Sequence, residues 1–355
     1  MNYHILPKNK LNITIHITEK SDKITDILSQ SLIFHLTNFQ NQILKNPDFE
    51  VINDIINPTE FIFTNVIGTD FYVSKTTPKS NIFFDLIEIV QCCNIDTLHL
   101  NKTNDICVLT PNFTSVNDFL CLNREYNNDI VMYRDFNYNK IIDKLIINKF
   151  PNKIDLFIFE FKKEDYKQTT KYLKNMIVVL LLIIKYQTSQ GISIIKIDNL
   201  FYQIMIDIVY IFSSLFDKII IMKPLTSNVI TSERYIICKG FNVEHLNQAC
   251  IEMEYKLTNL LLDPSISIEN IHSIINNEIP YYFINKIEES NIIIGEQQLE
   301  SYDQLINIFN NKNKEEKLYN LKRNHIQKCV QWCEKNKIAH NKFMDKTNIF
   351  LNLKK

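Results

Sequence analysis

The chain has 355 residues, 45% of them hydrophobic, which is enough for a substantial core and, by length, for two or three structural units. Its formal net charge of −1 excludes a global basic field of the kind that draws proteins to nucleic acid, leaving a local basic groove as the available route. Only 4 glycines, against a usual ~7%, exclude Walker-type and G-x-G loops, where backbone must approach a phosphate closely.

Asn, Ile and Lys are abundant without forming long pure tracts, which reads as the coding bias of an AT-rich genome, such as that of a large DNA virus or a protist. The eight cysteines are scattered and Met1–Pro7 lacks a cationic start followed by a long apolar run, so reduced thiols and a cytoplasmic setting are expected. The longest apolar run, Met176–Ile184, falls well short of the ~20 residues of a membrane helix and reads as a buried core helix, with no membrane partner expected.

In chain order, residues 1–80 read as an α+β region. Asn12–Thr18 alternates like a half-buried strand. Ile24–Leu44 carries helical spacing, with Ile27, Leu28, Ser31, Leu32, His35 and Phe39 on one face and Ser21-Asp22 as a cap. Phe61–Val66 and Phe71–Val73 read as short strands around Gly68.

From Asn81 the pattern alternates. Ile82–Val90 is helical, Thr97–Leu100 and Ile106–Leu109 are short strands, and Asn139–Ile147 is a helix or a strand. Ile154–Phe161 is a central strand and Lys167–Tyr186 a helix. Ile192–Ile197 is a buried strand after Gln190-Gly191, and Leu200–Leu215 another helix. This alternation predicts a mostly parallel sheet covered on both faces. Ile219–Met222 and Tyr235–Cys238, joined without a helix, suit an antiparallel edge pair. Beyond Phe241, helices are expected at Val243–Leu262, Ile268–Asn277, Leu299–Asn310 and from about Lys317 to Lys335, giving three regions: 1–80, 81–243 and a helical 244–355.

The segment Ile219–Phe241, IIIMKPLTSNVITSERYIICKGF, places the carboxylate Glu233 at a strand entrance beside the cations Lys223 and Arg234. Its Lys-Pro, Thr-Ser and Ser-Glu-Arg-Tyr elements closely resemble the last motif of the FtsJ-like ribose 2′-O-methyltransferases, in the divergent form of large DNA viruses. Ile194-Ile195-Lys196-Ile197 resembles that family's "VLKI" strand, Phe83–Val90 (FFDLIEIV) its "FFKLWEI" helix, and Leu98–Asp105 its donor-loop strand. Gln331-Trp332-Cys333-Glu334-Lys335 resembles its terminal helix. The resemblance implies a Rossmann-like α/β methyltransferase fold, with a mostly parallel sheet, an antiparallel edge strand, a small α+β N-terminal region and a helical C-terminal extension. It also implies S-adenosylmethionine at the carboxyl ends of the strands.

The family's catalytic set is Lys-Asp-Lys-Glu, whose second lysine must shed its charge to accept the ribose hydroxyl proton. Carried over, the second lysine is Lys196 and the glutamate Glu233. Glu160 holds the aspartate position, one methylene longer, and Asp85 reverses the charge of the first lysine; Lys79 is a substitute only along a different backbone path. In place of Ala-Pro-Gly-Gly-Phe the donor loop reads Lys102-Thr103-Asn104-Asp105-Ile106, with Leu100, Asn104 and Asp105 at the cofactor-binding positions and Asp105 repelling the cofactor carboxylate. Phe161-Lys162 replace the glycines after the acid.

The resemblance therefore implies a catalytically inactive protein without cofactor, a partner or RNA-binding subunit in viral RNA processing or transcription, in host cytoplasm or virion. The alternative is an active cap ribose 2′-O-methyltransferase that uses S-adenosylmethionine and Lys196 as base.

Other features carry weaker signals. His325, Cys329 and Cys333 recur every four residues, as zinc ligands or as a buried helix face; the adjacent Cys92 and Cys93 diverge on a helix, and no metal site is assigned. Lys312, Lys314, Lys317, Lys322, Arg323 and Lys328 form a phosphate-binding or merely solvated face. Tyr126, Tyr133, Phe136 and Tyr138 among Arg124, Arg134 and Lys140 suit base stacking or core packing.

Overall fold

The computed structural model describes residues 2–9, 13–19, 28–43, 56–66, 71–95, 105–124, 130–134, 153–242, 247–263, 266–310 and 314–341. Nine strands form two sheets among these residues: β1 (Asn2–Leu6), β2 (Ile15–Glu19), β3 (Asp105–Leu109), β4 (Ile130–Arg134), β5 (Ile154–Phe159), β6 (Gln187–Ile197), β7 (Phe216–Lys223), β8 (Arg234–Phe241) and β9 (Ile271–Ile275). The main sheet runs β1-β7-β8-β6-β5-β3-β4. β4, β3, β5 and β6 pair in parallel, β8 is antiparallel to both β6 and β7, and β1 is antiparallel to β7. Five of the seven strands thus point one way, with β8 and β1 reversed, in a Rossmann-like mixed α/β sheet.

The central strands read as continuous apolar runs because helices cover both faces. Alternate residues divide cleanly. Leu109, Phe157, Phe159, Ile195 and Ile236 join one core with α5 (Thr169–Tyr186) and α6 (Gln203–Leu215). Val108, Ile158, Ile194, Ile220 and Ile237 face α2 (Ile82–Cys93), α3 (Phe113–Asn123) and α9 (Lys314–Lys335). A one-residue slip in register would exchange the two sets, so burial on each face fixes the pairing.

The strands of residues 1–80 are shared out. β1 forms the edge beside β7, so the antiparallel β7–β8 pair lies one strand inside that edge. β2 pairs with β9 in a separate two-stranded sheet. α1 (Gln30–Ile43) packs on the 29-residue helix α8 (Tyr281–Phe309). Gly295 lies inside α8 without breaking it because a Cβ there would come within 2.5 Å of Leu32 of α1; the glycine permits close approach of the two helices.

Several sequence expectations are corrected. Ile268–Asn277 is a short 3-10 turn, Ile268–Asn270, followed by β9, not a helix. Its β-branched run suits a strand, and Asp207 of α6 anchors it by accepting from the Ile274 N–H at 2.9 Å and the Ser273 hydroxyl at 2.7 Å. Leu299–Asn310 is the last part of α8, which starts behind Pro280. Phe61–Val66 begins within a 3-10 turn, Glu60–Ile62, where the Glu60 carboxylate accepts from Asn57 at 2.7 Å and closes the chain locally. The remaining helices are the short α4 (Lys163–Lys167) and α7 (Asn247–Leu262). The expected elements at Thr97–Leu100 and Asn139–Ile147, and the Ser21-Asp22 cap, lie outside the described residues.

Candidate functional site

Three strand ends and one helix converge at the carboxyl edge of the parallel strands. Glu160 follows β5 directly, Lys196 is the penultimate residue of β6, Glu233 immediately precedes β8, and Asp85 lies in the first turn of α2. Because β8 is antiparallel to β6, its entrance meets the exit of β6, and Lys196 is cross-strand partner to Tyr235. The motif positions carried by four separated segments therefore meet in space.

Lys196 Nζ is 3.2 Å from Glu160 Oε1 and 3.2 Å from Glu233 Oε2. Lys196 and Glu160 are buried, and Glu233 is partly open to solvent. Asp85 is fully buried; it accepts from the Tyr235 hydroxyl at 2.8 Å, from Ser227 Oγ at 3.3 Å and from Thr226 Oγ1. Tyr235 links the two halves, since its ring centroid is also 6.0 Å from Lys196 Nζ.

The electrostatics follow from this packing. Burial alone would lower the Lys196 pKa, but Glu160, Glu233 and Asp85 outweigh it and hold the ammonium far above its ordinary value. Burial alone would raise the Glu233 carboxyl, but Lys196 outweighs it and holds the group below the usual range. Asp85 is raised by burial, with Lys196 and the bonds from Thr226 and Tyr235 only partly offsetting this. Lys223 behaves oppositely to Lys196. Burial, reinforced by Arg234, pulls it down to about 7 against the more distant Glu233, Asp85 and Asp198. The Lys223 ammonium donates to the Thr231 carbonyl and has no carboxylate within ion-pair distance among the described residues.

Glu160 is also tied sideways. Its second oxygen accepts from Thr110 Oγ1 at 2.5 Å and Asn112 Nδ2 at 3.0 Å, and its N–H donates to the Leu109 carbonyl at 2.9 Å. The loop leaving β3 is thus stitched to the end of β5. This is Thr110-Pro111-Asn112, whereas the sequence reading put that loop at Lys102–Asp105. The correction arises because Ile106–Leu109 forms this strand, so the loop at its carboxyl end follows Leu109. Leu100 and Asn104 lie outside the described residues. Asp105 opens β3 at the opposite edge of the sheet, where its N–H meets the Asp155 carboxylate at 3.1 Å, so it does not join the cluster. Thr110, Asn112, Thr226 and Tyr235 are the site residues that sequence reading missed; the strand-then-Pro pattern at Leu109–Pro111 was the available signal for the first two.

A cavity of about 440 Å³ opens beside Glu233, bounded by Asp198, Lys163, Lys167, Gln40 and Tyr302. Of the other candidates, Cys329 and Cys333 are buried in the core, with Cys329 Sγ 3.4 Å from the Pro58 carbonyl, and His325 is buried as well. Among the described residues no group of three metal-ligating side chains converges. Tyr126, Phe136, Tyr138, Lys140 and Lys312 lie outside the described residues. No described helix is long and apolar enough to cross a membrane.

No family model matches the sequence, and no curated protein matches it. Among solved structures, a Plasmodium falciparum protein described as a "ribosomal RNA methyltransferase, putative" is similar over 46% of this chain and 98% of its own, at 16% identity and a TM-score of 0.34.

Proposed function

We propose that the protein is a methyltransferase-fold subunit that does not transfer methyl groups and that acts through a protein partner or RNA in RNA processing or transcription. The observation that carries this reading is the closed carboxyl edge of β3 and β5, where Thr110 and Asn112 hydrogen-bond to Glu160. A donor such as S-adenosylmethionine needs bare backbone there. The residues present do not fit it: side chains fill the loop, and the chain's 4 glycines, at positions 68, 191, 240 and 295, include none in it.

The charge balance supports the same reading. A general base must be neutral when it acts, and Lys196 is held protonated by two carboxylates at 3.2 Å with Asp85, in place of a second cation, adding to the negative field. Methyl transfer from labelled donor to capped and uncapped RNA tests the proposal. No transfer is expected; transfer that Lys196→Ala abolishes would replace it with the catalytic reading. One observation favours that second reading, namely that Glu160, Lys196 and Glu233 meet within ion-pair distance beside an open cavity, as an acid–lysine–acid set would.

A further inference from the structure

The Lys223–Glu233 segment is a wall between two cavities. One is the cavity beside Glu233. The other, of about 400 Å³, lies against α9 and shares Lys223 and Ser227 with the surroundings of Asp85. Lys223 lines it from the inside, and Lys328 and Lys335, seven residues apart on one face of α9, line it from the rim. Between them Trp332, Pro58 and Leu225 supply an apolar lining.

Lys223 is 5% exposed, and its one described hydrogen bond goes to the Thr231 carbonyl, which leaves two of the three ammonium donors without a described partner. Buried charges are ordinarily paired, because desolvation is costly without compensation. Its carboxylate neighbours Glu233, Asp85 and Asp198 act only from beyond ion-pair distance, and the desolvated amine is pulled down to about 7. An anion entering the cavity would reverse that. Lys328 and Lys335 are exposed and have no ion-pair partner among the described residues. Glu88, behind the wall, already accepts from Trp332 Nε1 at 2.9 Å and the Leu225 N–H at 3.1 Å, which fixes the indole in place.

A buried cation with spare donors, two rim cations and an aromatic-apolar wall describe the receptor for one chemical class: a phosphoryl group on a planar, weakly polar body. We propose that this cavity binds a nucleotide, with its phosphate between Lys223, Lys328 and Lys335 and its base against Trp332. A volume of this order suits a small organic ligand. The site is independent of whether methyl groups are transferred at Lys196.

Trp332 is the chain's single tryptophan, so selectively excited tryptophan fluorescence reports on this cavity. Titrating the full chain with AMP is expected to give a saturable change, with adenosine binding about tenfold more weakly for want of the charged hydrogen bonds. Lys328→Ala with Lys335→Ala is expected to weaken AMP about tenfold by the same argument. Lys223→Met is expected to abolish binding; should it unfold, the rim pair carries the test, because both side chains are exposed. A 5′-phosphorylated oligonucleotide that binds more tightly than AMP assigns the cavity to an RNA end, and equal binding assigns it to free nucleotide; either supports the site. No saturable change up to ~1 mM, adenosine binding as well as AMP, or a rim variant indistinguishable from the parent would overturn the proposal.

Discussion

Lys196 and Lys223 are both buried and both flank the strand β8 that carries the Ser-Glu-Arg-Tyr motif, yet their chemistry diverges. Lys196 meets two carboxylates at 3.2 Å and is driven up; Lys223 meets a carbonyl and is pulled down to about 7. Desolvation acts on both in the same direction, so the placement of partners decides the sign. The lysine at the expected catalytic position is the one locked in its charged form. The lysine that burial pulls down to about 7 lines another cavity.

The comparison breaks most sharply at Lys196. Lys196→Met strands Glu160 and Glu233 without their cation and is expected to cost about 3–5 kcal/mol, read as a lower denaturation midpoint in urea. A loss below 1 kcal/mol would mean that the clamp is not closed in solution. Glu160→Gln comes next, at about 1–3 kcal/mol, because it weakens the Lys196 contact and disturbs the Thr110 and Asn112 bonds together. Lys223→Met has the smallest expected effect on stability, less than ~1.5 kcal/mol at neutral pH, since it removes a buried cation that no carboxylate contacts and keeps similar volume.

The two lysines also differ in how they respond to pH. Lys223 titrates near 7 in the folded chain against an ordinary 10.5, so between these values the unfolded chain binds the extra proton and stability rises with pH. Lys196 is raised, so its contribution is complete below 10.5 and is lost only as pH climbs through its higher folded value. Between pH 7 and about 8.5, before thiols with an ordinary value of 9.0 titrate, the parent is expected to gain stability relative to Lys223→Met. A constant difference between the two across that window would show that Lys223 remains charged.

The fold was legible where the physics is local and repetitive. The buried runs at Ile154–Phe159, Ile192–Ile197 and Ile219–Met222 announced strands, and the Lys-Pro…Ser-Glu-Arg-Tyr segment announced an antiparallel pair. Asp85, Glu160, Lys196 and Glu233, which meet in space, were named in the sequence through the family resemblance of the segments that carry them. The loop after β3 could not be named, because two short apolar runs competed for one strand and neither carried glycine. The joining of β2 to β9 was also hidden, since that pairing spans most of the chain and depends on Asp207 anchoring Ser273 and Ile274. The partner of Asp85 was hidden for a similar reason: Tyr235, Thr226 and Ser227 reach it from about 140–150 residues away.

The account turns on the closed edge between β3 and β5, and titration calorimetry of the full chain with S-adenosylmethionine tests it most directly. The predicted result is no binding stronger than ~1 mM, before or after adding RNA. Stoichiometric binding in the micromolar range would contradict it, and would mean that Thr110 and Asn112 release Glu160 to admit a donor.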